Sequence, residues 1–251
     1  MKKNFRVIPK LEIKNSNLIK GIRMDGLRVI GDPNTFAMNY CKSKADELIY
    51  MDIVASLYGR NNLSHLITKV AKEVFIPITV GGGIRKEKDI YKVLKSGADK
   101  VSINTAAVNN PNFVKDMAKI FGSSTIVLSI EAKKIGVKKW EVYTKSGREK
   151  TGIDVINWIK KMQDYNVGEI MLSSVDKDGT NSGLDNELIN EVKNICYVPV
   201  ILGGGFNIDD TINNKDIRYL DGITISSALH YKKTNIEIIK KNLRSKKFLI
   251  R

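Results

Sequence analysis

Two cysteines, two histidines and no apolar run approaching a membrane span set the first limits on this chain of 251 residues. Cys41 and Cys196 stand without metal-ligand spacing and far from His65 and His230, which argues against a disulfide framework or a zinc site. No metal or cofactor is expected. A membrane helix needs about 20 consecutive apolar residues, and Met-Lys-Lys-Asn-Phe at the start is too short and polar to open a signal peptide. A soluble protein in a reduced cytoplasm is therefore expected. Acidic residues are few beside basic ones, 27 against 42, giving a net charge of +15. That charge invites nucleic acid, yet the lysines are spread along the chain and no aromatic-rich or basic nucleic-acid motif is present. The excess reads instead as a lysine-rich surface suited to phosphorylated substrates or an acidic partner.

What the sequence does hold is one phrase used twice. Residues 77–85 read Pro-Ile-Thr-Val-Gly-Gly-Gly-Ile-Arg, and residues 199–207 read Pro-Val-Ile-Leu-Gly-Gly-Gly-Phe-Asn. The offset, 199 − 77 = 122, also aligns 46–51 with 168–173 and 97–104 with 219–226, while Leu11-Glu12-Ile13-Lys14 returns as Ile130-Glu131-Ala132-Lys133. An internal duplication follows, with half-domains of about 1–122 and 123–251.

Short β-branched runs alternate with longer amphipathic ones. Eight strands are expected, at 5–12, 47–53, 76–81, 99–104, 124–131, 169–174, 198–203 and 221–226. Between them lie helical patterns such as Leu63, Leu66, Ile67, Val70, Ala71 and Val74, or Ile153, Val155, Ile156, Trp158, Ile159 and Met162. Eight such units in two matching halves predict a single (β/α)8 TIM barrel with a two-fold half-barrel repeat, its chemistry at the carboxyl-terminal mouth of the strands. The stretch Lys14 to Asp32, rich in basic and glycine residues, reads as a long mobile loop, a lid for an anionic substrate.

Glycines at the end of a barrel strand let backbone N–H groups approach an oxyanion, and Asn, Thr or Ser side chains add donors. Gly83 with Asn104 and Thr105 forms one such phosphate cradle, and Gly204 with Ser226 and Ser227 forms its duplicate. A substrate with a phosphate at each end is expected. Glu12 and Glu131, ending strands one and five between the cradles, are the candidate acid and base for proton transfer at its middle; as mere ion pairs they would bind Lys10, Lys14 or Lys133. The polar loop 173–180 adds Asp178 to the catalytic set and Gly179 to the phosphate set, and Lys20 joins the catalytic set from the 14–32 loop. Side chains alternate along a strand, so Arg6 and Lys10 share the face of Glu12. Counting back by twos brings Arg6, Glu47, Lys100 and Glu169 together at the opposite end, where two cations and two anions form either a neutral plug or a gate.

Across nearly its whole length the chain resembles the cyclase subunits of imidazole glycerol phosphate synthase. The resemblance rests on Gly-Asp-Pro at 31–33, Asp-Glu-Leu at 46–48, Thr-Val-Gly-Gly-Gly-Ile-Arg at 79–85, Gly-Ala-Asp-Lys-Val-Ser-Ile-Asn-Thr-Ala-Ala-Val at 97–108, Trp-Glu-Val-Tyr-Thr at 140–144 and Asp-Lys-Asp-Gly-Thr at 176–180. It implies a lyase of histidine biosynthesis, paired as a heterodimer with a class I glutaminase at the bottom of the barrel. Ammonia would pass the Arg6, Glu47, Lys100, Glu169 gate, and a bis-phosphorylated ribulosyl aminoimidazole carboxamide ribonucleotide would be cyclised and cleaved at the top.

The resemblance also exposes departures. The family carries aspartates where this chain has Glu12 and Glu131, and a small residue, commonly cysteine, where it has Lys10. Two alternatives follow: a paralogue that delivers ammonia for amidination of an acetamido surface sugar, and a non-catalytic docking and channelling scaffold.

Overall fold

The computed structural model describes residues 4–55 and 63–250; the opening Met-Lys-Lys lies outside them. Its backbone is organised by eight parallel strands: β1 (Arg6–Lys14), β4 (Leu48–Asp52), β5 (Ile78–Gly81), β6 (Lys100–Ile103), β7 (Ile126–Gly136), β10 (Glu169–Ser174), β11 (Val200–Gly203) and β12 (Gly222–Ile225). They pair in that order; β12 returns to β1, and β7 to β10, so the eight parallel strands close into a barrel. Each of the eight strands falls on one of the expected runs. Helices cover the outside. The 63–74 pattern becomes a helix at Ser64–Val70 burying Leu66, Ile67 and Val70, and the 153–162 pattern one at Val155–Asp164 burying Val155, Trp158, Ile159 and Met162. Asp154 caps the latter by accepting from Asn157 N.

The remaining four strands form two antiparallel hairpins that the sequence reading lacks. β2 (Asn17–Ile22) folds back on β1 and pairs with β3 (Asp25–Gly31); β8 (Lys139–Thr144) folds back on β7 and pairs with β9 (Glu149–Asp154). The expected 14–32 lid loop is thus corrected to an ordered hairpin. Both of its turns place two successive residues at positive φ, Asn15 and Ser16 at 48° and 65°, Arg23 and Met24 at 52° and 62°, the geometry that matches strand twist. Gly21 is no hinge either: a Cβ there would stand 2.0 Å from the Asp25 carbonyl oxygen, so the cross-strand approach requires glycine.

Inside the barrel, alternation stacks side chains in layers. At the amino-terminal end, Glu47 binds Arg6 at 2.7 Å and Lys100 at 3.1 Å, while Glu169 binds Arg6 at 2.5 Å and Lys100 at 3.1 Å. The four form a closed ring in which each carboxylate bridges both cations. Above it lies an apolar, buried layer of Ile8, Ile49, Val127, Met171 and Ile201. Polar residues resume one layer higher with Lys10, Ser129 and Ser173. Because the apolar layer is enclosed by strands on all sides, it cannot collapse around a void. Ile49→Ala is expected to lower unfolding free energy by about 2–5 kcal/mol, seen as a lower urea midpoint with an unchanged slope.

Candidate active site

Three adjoining cavities run across the carboxyl-terminal mouth. The first, of about 170 Å³, is walled by Gly83, Asn104 and Thr105 together with Arg85, Lys145 and Ser146, and reaches Glu131. Gly82 and Gly83 sit at φ +97° and +73°, and a Cβ on Gly82 would meet the Asp52 carbonyl oxygen at 2.2 Å. Only glycine keeps this turn tight enough to turn backbone toward the cleft. The Asn104 amide is held by donating to the Tyr143 carbonyl at 3.1 Å.

At the other side, Gly179, Gly204, Ser226 and Ser227 wall the third cavity with Lys10 and Lys20. Gly204 has φ +102°, and a Cβ there would stand 2.6 Å from the Ser174 carbonyl oxygen. Ser226 donates its hydroxyl to the Lys10 carbonyl at 2.8 Å. The same carbonyl accepts from His230 Nε2 at 3.1 Å, which leaves His230 Nδ1 to accept from the Tyr40 hydroxyl at 2.7 Å. Burial holds His230 down at about 4, against the opposing pull of Glu12, so the imidazole is neutral.

The middle cavity joins the other two. It shares Glu131, Ser129 and Ser146 with the first and Lys10 and Ser173 with the third, and Met24 and Leu27 of the β2–β3 hairpin lie over it. The two glutamates both face it, in opposite electrostatic settings. Glu12 is buried, with Lys20 Nζ at 2.7 Å from one oxygen and Lys10 Nζ at 3.3 Å from the other. Burial alone would raise its pKa, but the charges of Lys20 and then Lys10 outweigh burial and bring it down to about 2. Among the described residues Glu131 has no salt bridge; its Oε2 accepts the Gly147 N–H at 2.8 Å. Although part of its side chain lines the cleft, protein surrounds the carboxyl, and burial pushes it up to about 7 against that hydrogen bond and the more distant charge of Lys10.

Lys20 lies where the lid reading did not put it. It is 1% exposed on β2, bound to Glu12 and to both oxygens of Asp178 at 3.0 and 2.7 Å. Asp178 is correspondingly occupied by Lys20, and burial followed by the Glu12 charge raises its pKa. Neither Lys14 nor Lys133 pairs with the two glutamates; Lys10 does so with Glu12. Sequence reasoning missed Lys145, Ser146 and Gly147, which form the β8–β9 turn and bring a cation, a hydroxyl and an N–H to the first cavity and Glu131. The only trace was a Lys-Ser-Gly turn signal inside a segment with no assigned strand. Among the described residues, no group of three His, Cys, Asp or Glu could hold a metal ion, and no helix is long and apolar enough to cross a membrane.

Replacing Lys20 by Met would leave Glu12 and Asp178 facing each other in a buried site. Lys20→Met is expected to cost about 3–5 kcal/mol at neutral pH. Its carboxylates would then hold protons more tightly folded than unfolded, so the deficit should shrink as pH falls toward 4 or so, the ordinary carboxylate range; urea unfolding of both proteins across pH checks this.

Comparison with known proteins places this geometry. The profile of the histidine biosynthesis protein family matches residues 6–235. Relatives named imidazole glycerol phosphate synthase subunit HisF include one from Legionella pneumophila, 54% identical over 80% of this chain and 95% of the relative. Another, from Bacillus cereus, is 42% identical over 96% of both chains. A third, from Dehalococcoides mccartyi, is 42% identical over 99% of this chain and 98% of its own. A closed barrel with paired glycine cradles, matched along nearly its full length at such identities, belongs to the histidine biosynthesis protein family.

Proposed function

We propose that this chain is the ammonia-using cyclase subunit of an imidazole glycerol phosphate synthase. In this reading it takes ammonia from a glutaminase docked under the barrel and uses it on a bis-phosphorylated ribulosyl aminoimidazole carboxamide ribonucleotide. The observation that carries the reading is the order of the three cavities: cradle, carboxylates, cradle. A substrate with a phosphate at each end would be gripped at both ends and held with its middle over Glu12 and Glu131. Gly83, Asn104 and Thr105 take one phosphate, and Gly179, Gly204, Ser226 and Ser227 the other, with Lys145 and Lys20 supplying charge nearby.

Beneath that middle, the apolar layer around Ile8 and Met171 would admit a neutral molecule such as ammonia far more readily than ammonium, once its packed side chains part. The ring of Arg6, Glu47, Lys100 and Glu169 is its gate. The one-domain, two-half organisation fits a substrate with two similar ends.

Proton transfer divides between the glutamates according to their surroundings. Glu131 keeps its proton to about pH 7 and serves as general acid; Glu12 is ionised throughout and steadies positive charge that develops on the substrate. Lys20 and Asp178 hold Glu12 in place.

A second reading, amidination of an acetamido sugar, is favoured by one observation: both oxygens of Glu12 are engaged by lysines, which leaves it less free than a paired acid and base require. The test is turnover of the ribulosyl substrate with ammonium salt. Rates normalised to free ammonia are expected to be flat below pH 7 and to fall about tenfold per unit above it, because the acid form of Glu131 is lost. Glu131→Gln should be slower by about 100-fold or more and lack that limb. An inactive natural chain that converts an acetamido sugar would establish the second reading instead.

A further inference from the structure

Lys10 is a buried cation whose place in the site has no counterpart among the roles given so far. It is 8% exposed, and its one partner among the described residues is Glu12 Oε1 at 3.3 Å, a long contact for an ammonium with three N–H donors. Glu12 has its shorter bond, 2.7 Å, with Lys20. Lys10 lines both the middle cavity and the cavity of the second cradle. It stands one inward position above Ile8, so it is among the first polar groups met by anything that emerges from the apolar layer. Its backbone is pinned from outside by Ser226 and His230 at its carbonyl, which fixes the origin of the side chain.

When ammonia adds to a carbonyl carbon, the displaced π pair must be received on that carbon's oxygen. We propose that Lys10 is the oxyanion-stabilising residue of this site, donating from its ammonium to the carbonyl oxygen of the acceptor that ammonia attacks. The proposal rests on the ammonia-using reading above. The nitrogen lone pair forms the C–N bond while the carbonyl π pair moves to oxygen, giving an N⁺/O⁻ adduct that Lys10 stabilises. A proton passes from nitrogen to oxygen, giving the carbinolamine. The Glu131 carboxyl then protonates the hydroxyl; water leaves, the C=N bond forms, and Glu131 recovers its proton from the resulting iminium nitrogen. A preorganised donor in a desolvated site is suited to this, because its dipole need not reorient as charge develops.

The experiment compares the natural chain with Lys10→Met and Lys10→Arg. With the ribulosyl substrate and ammonium salt, Lys10→Met is expected to lower kcat about 100-fold while raising KM for the bis-phosphate by less than about tenfold, because Lys10 borders the second cradle's cavity but the glycines and hydroxyls of both cradles remain; Lys10→Arg should recover part of the loss. In parallel, ribulose 5-phosphate labelled with 13C at its ketone is bound to each protein, and the carbonyl stretch is read by difference infrared. A lowered frequency in the natural chain, restored in Lys10→Met, is the expected result. A kcat retained in Lys10→Met, or a carbonyl that does not bind or does not shift, overturns the role of Lys10. A natural chain that turns over nothing yet shows the Lys10-dependent shift overturns the histidine-pathway assignment and leaves Lys10 in place. Should Lys10→Met not fold, Lys10→Gln and the shift in the natural chain decide the matter.

Discussion

Closure of an eight-stranded parallel sheet is the constraint on which the rest depends. Once the edges are joined, every second side chain of each strand has nowhere to go but inward. A single strand then becomes a vertical sample of the shaft: Arg6 in the ring, Ile8 in the apolar layer, Lys10 at the base of the mouth, Glu12 within it. The chemistry changes from charged to apolar to charged over seven residues of one strand. No loop is needed to bring these groups together, so their spacing is as rigid as the barrel.

The two glutamates show how far such a scaffold can separate residues of the same type. They end comparable strands and border the same cavity, yet one is crowded by two lysines, while the other accepts the Gly147 N–H and has no ion pair among the described residues. The hairpins make the difference. β2 delivers Lys20 against Glu12, whereas the β8–β9 turn delivers Gly147 against Glu131. The difference in their electrostatic settings is therefore set by what folds back over each strand and not by the strand itself.

The parts legible in the sequence are those governed by local periodicity. Buried parallel strands show as β-branched runs, and the ring of Arg6, Glu47, Lys100 and Glu169 is found by counting in twos along four of them. Glycine cradles are legible because a positive φ against a neighbouring carbonyl admits little else. The β2–β3 hairpin was not, since Arg23-Met24 adopts a turn that ordinarily advertises itself with Asn or Gly, and β3 is largely exposed and carries no alternating pattern. Lys20 was read as mobile for the same reason. Its partner Asp178 lies 158 positions away, and no short-range pattern connects them. Lys10 and Glu12 fall on one face of a strand by alternation, but only the fold shows that they touch.

The closed ring at the bottom also bears on how this chain can change over generations. Its four members sum to zero charge, and every carboxylate oxygen is matched to one cation. Exchange of any single member leaves a net charge at the partly buried end of the barrel, whereas exchange of a cation together with an anion does not. The four positions are thus coupled through charge: loss of one leaves a partner unmatched, whereas removing a cation together with an anion keeps the ring neutral, at two charges or at none.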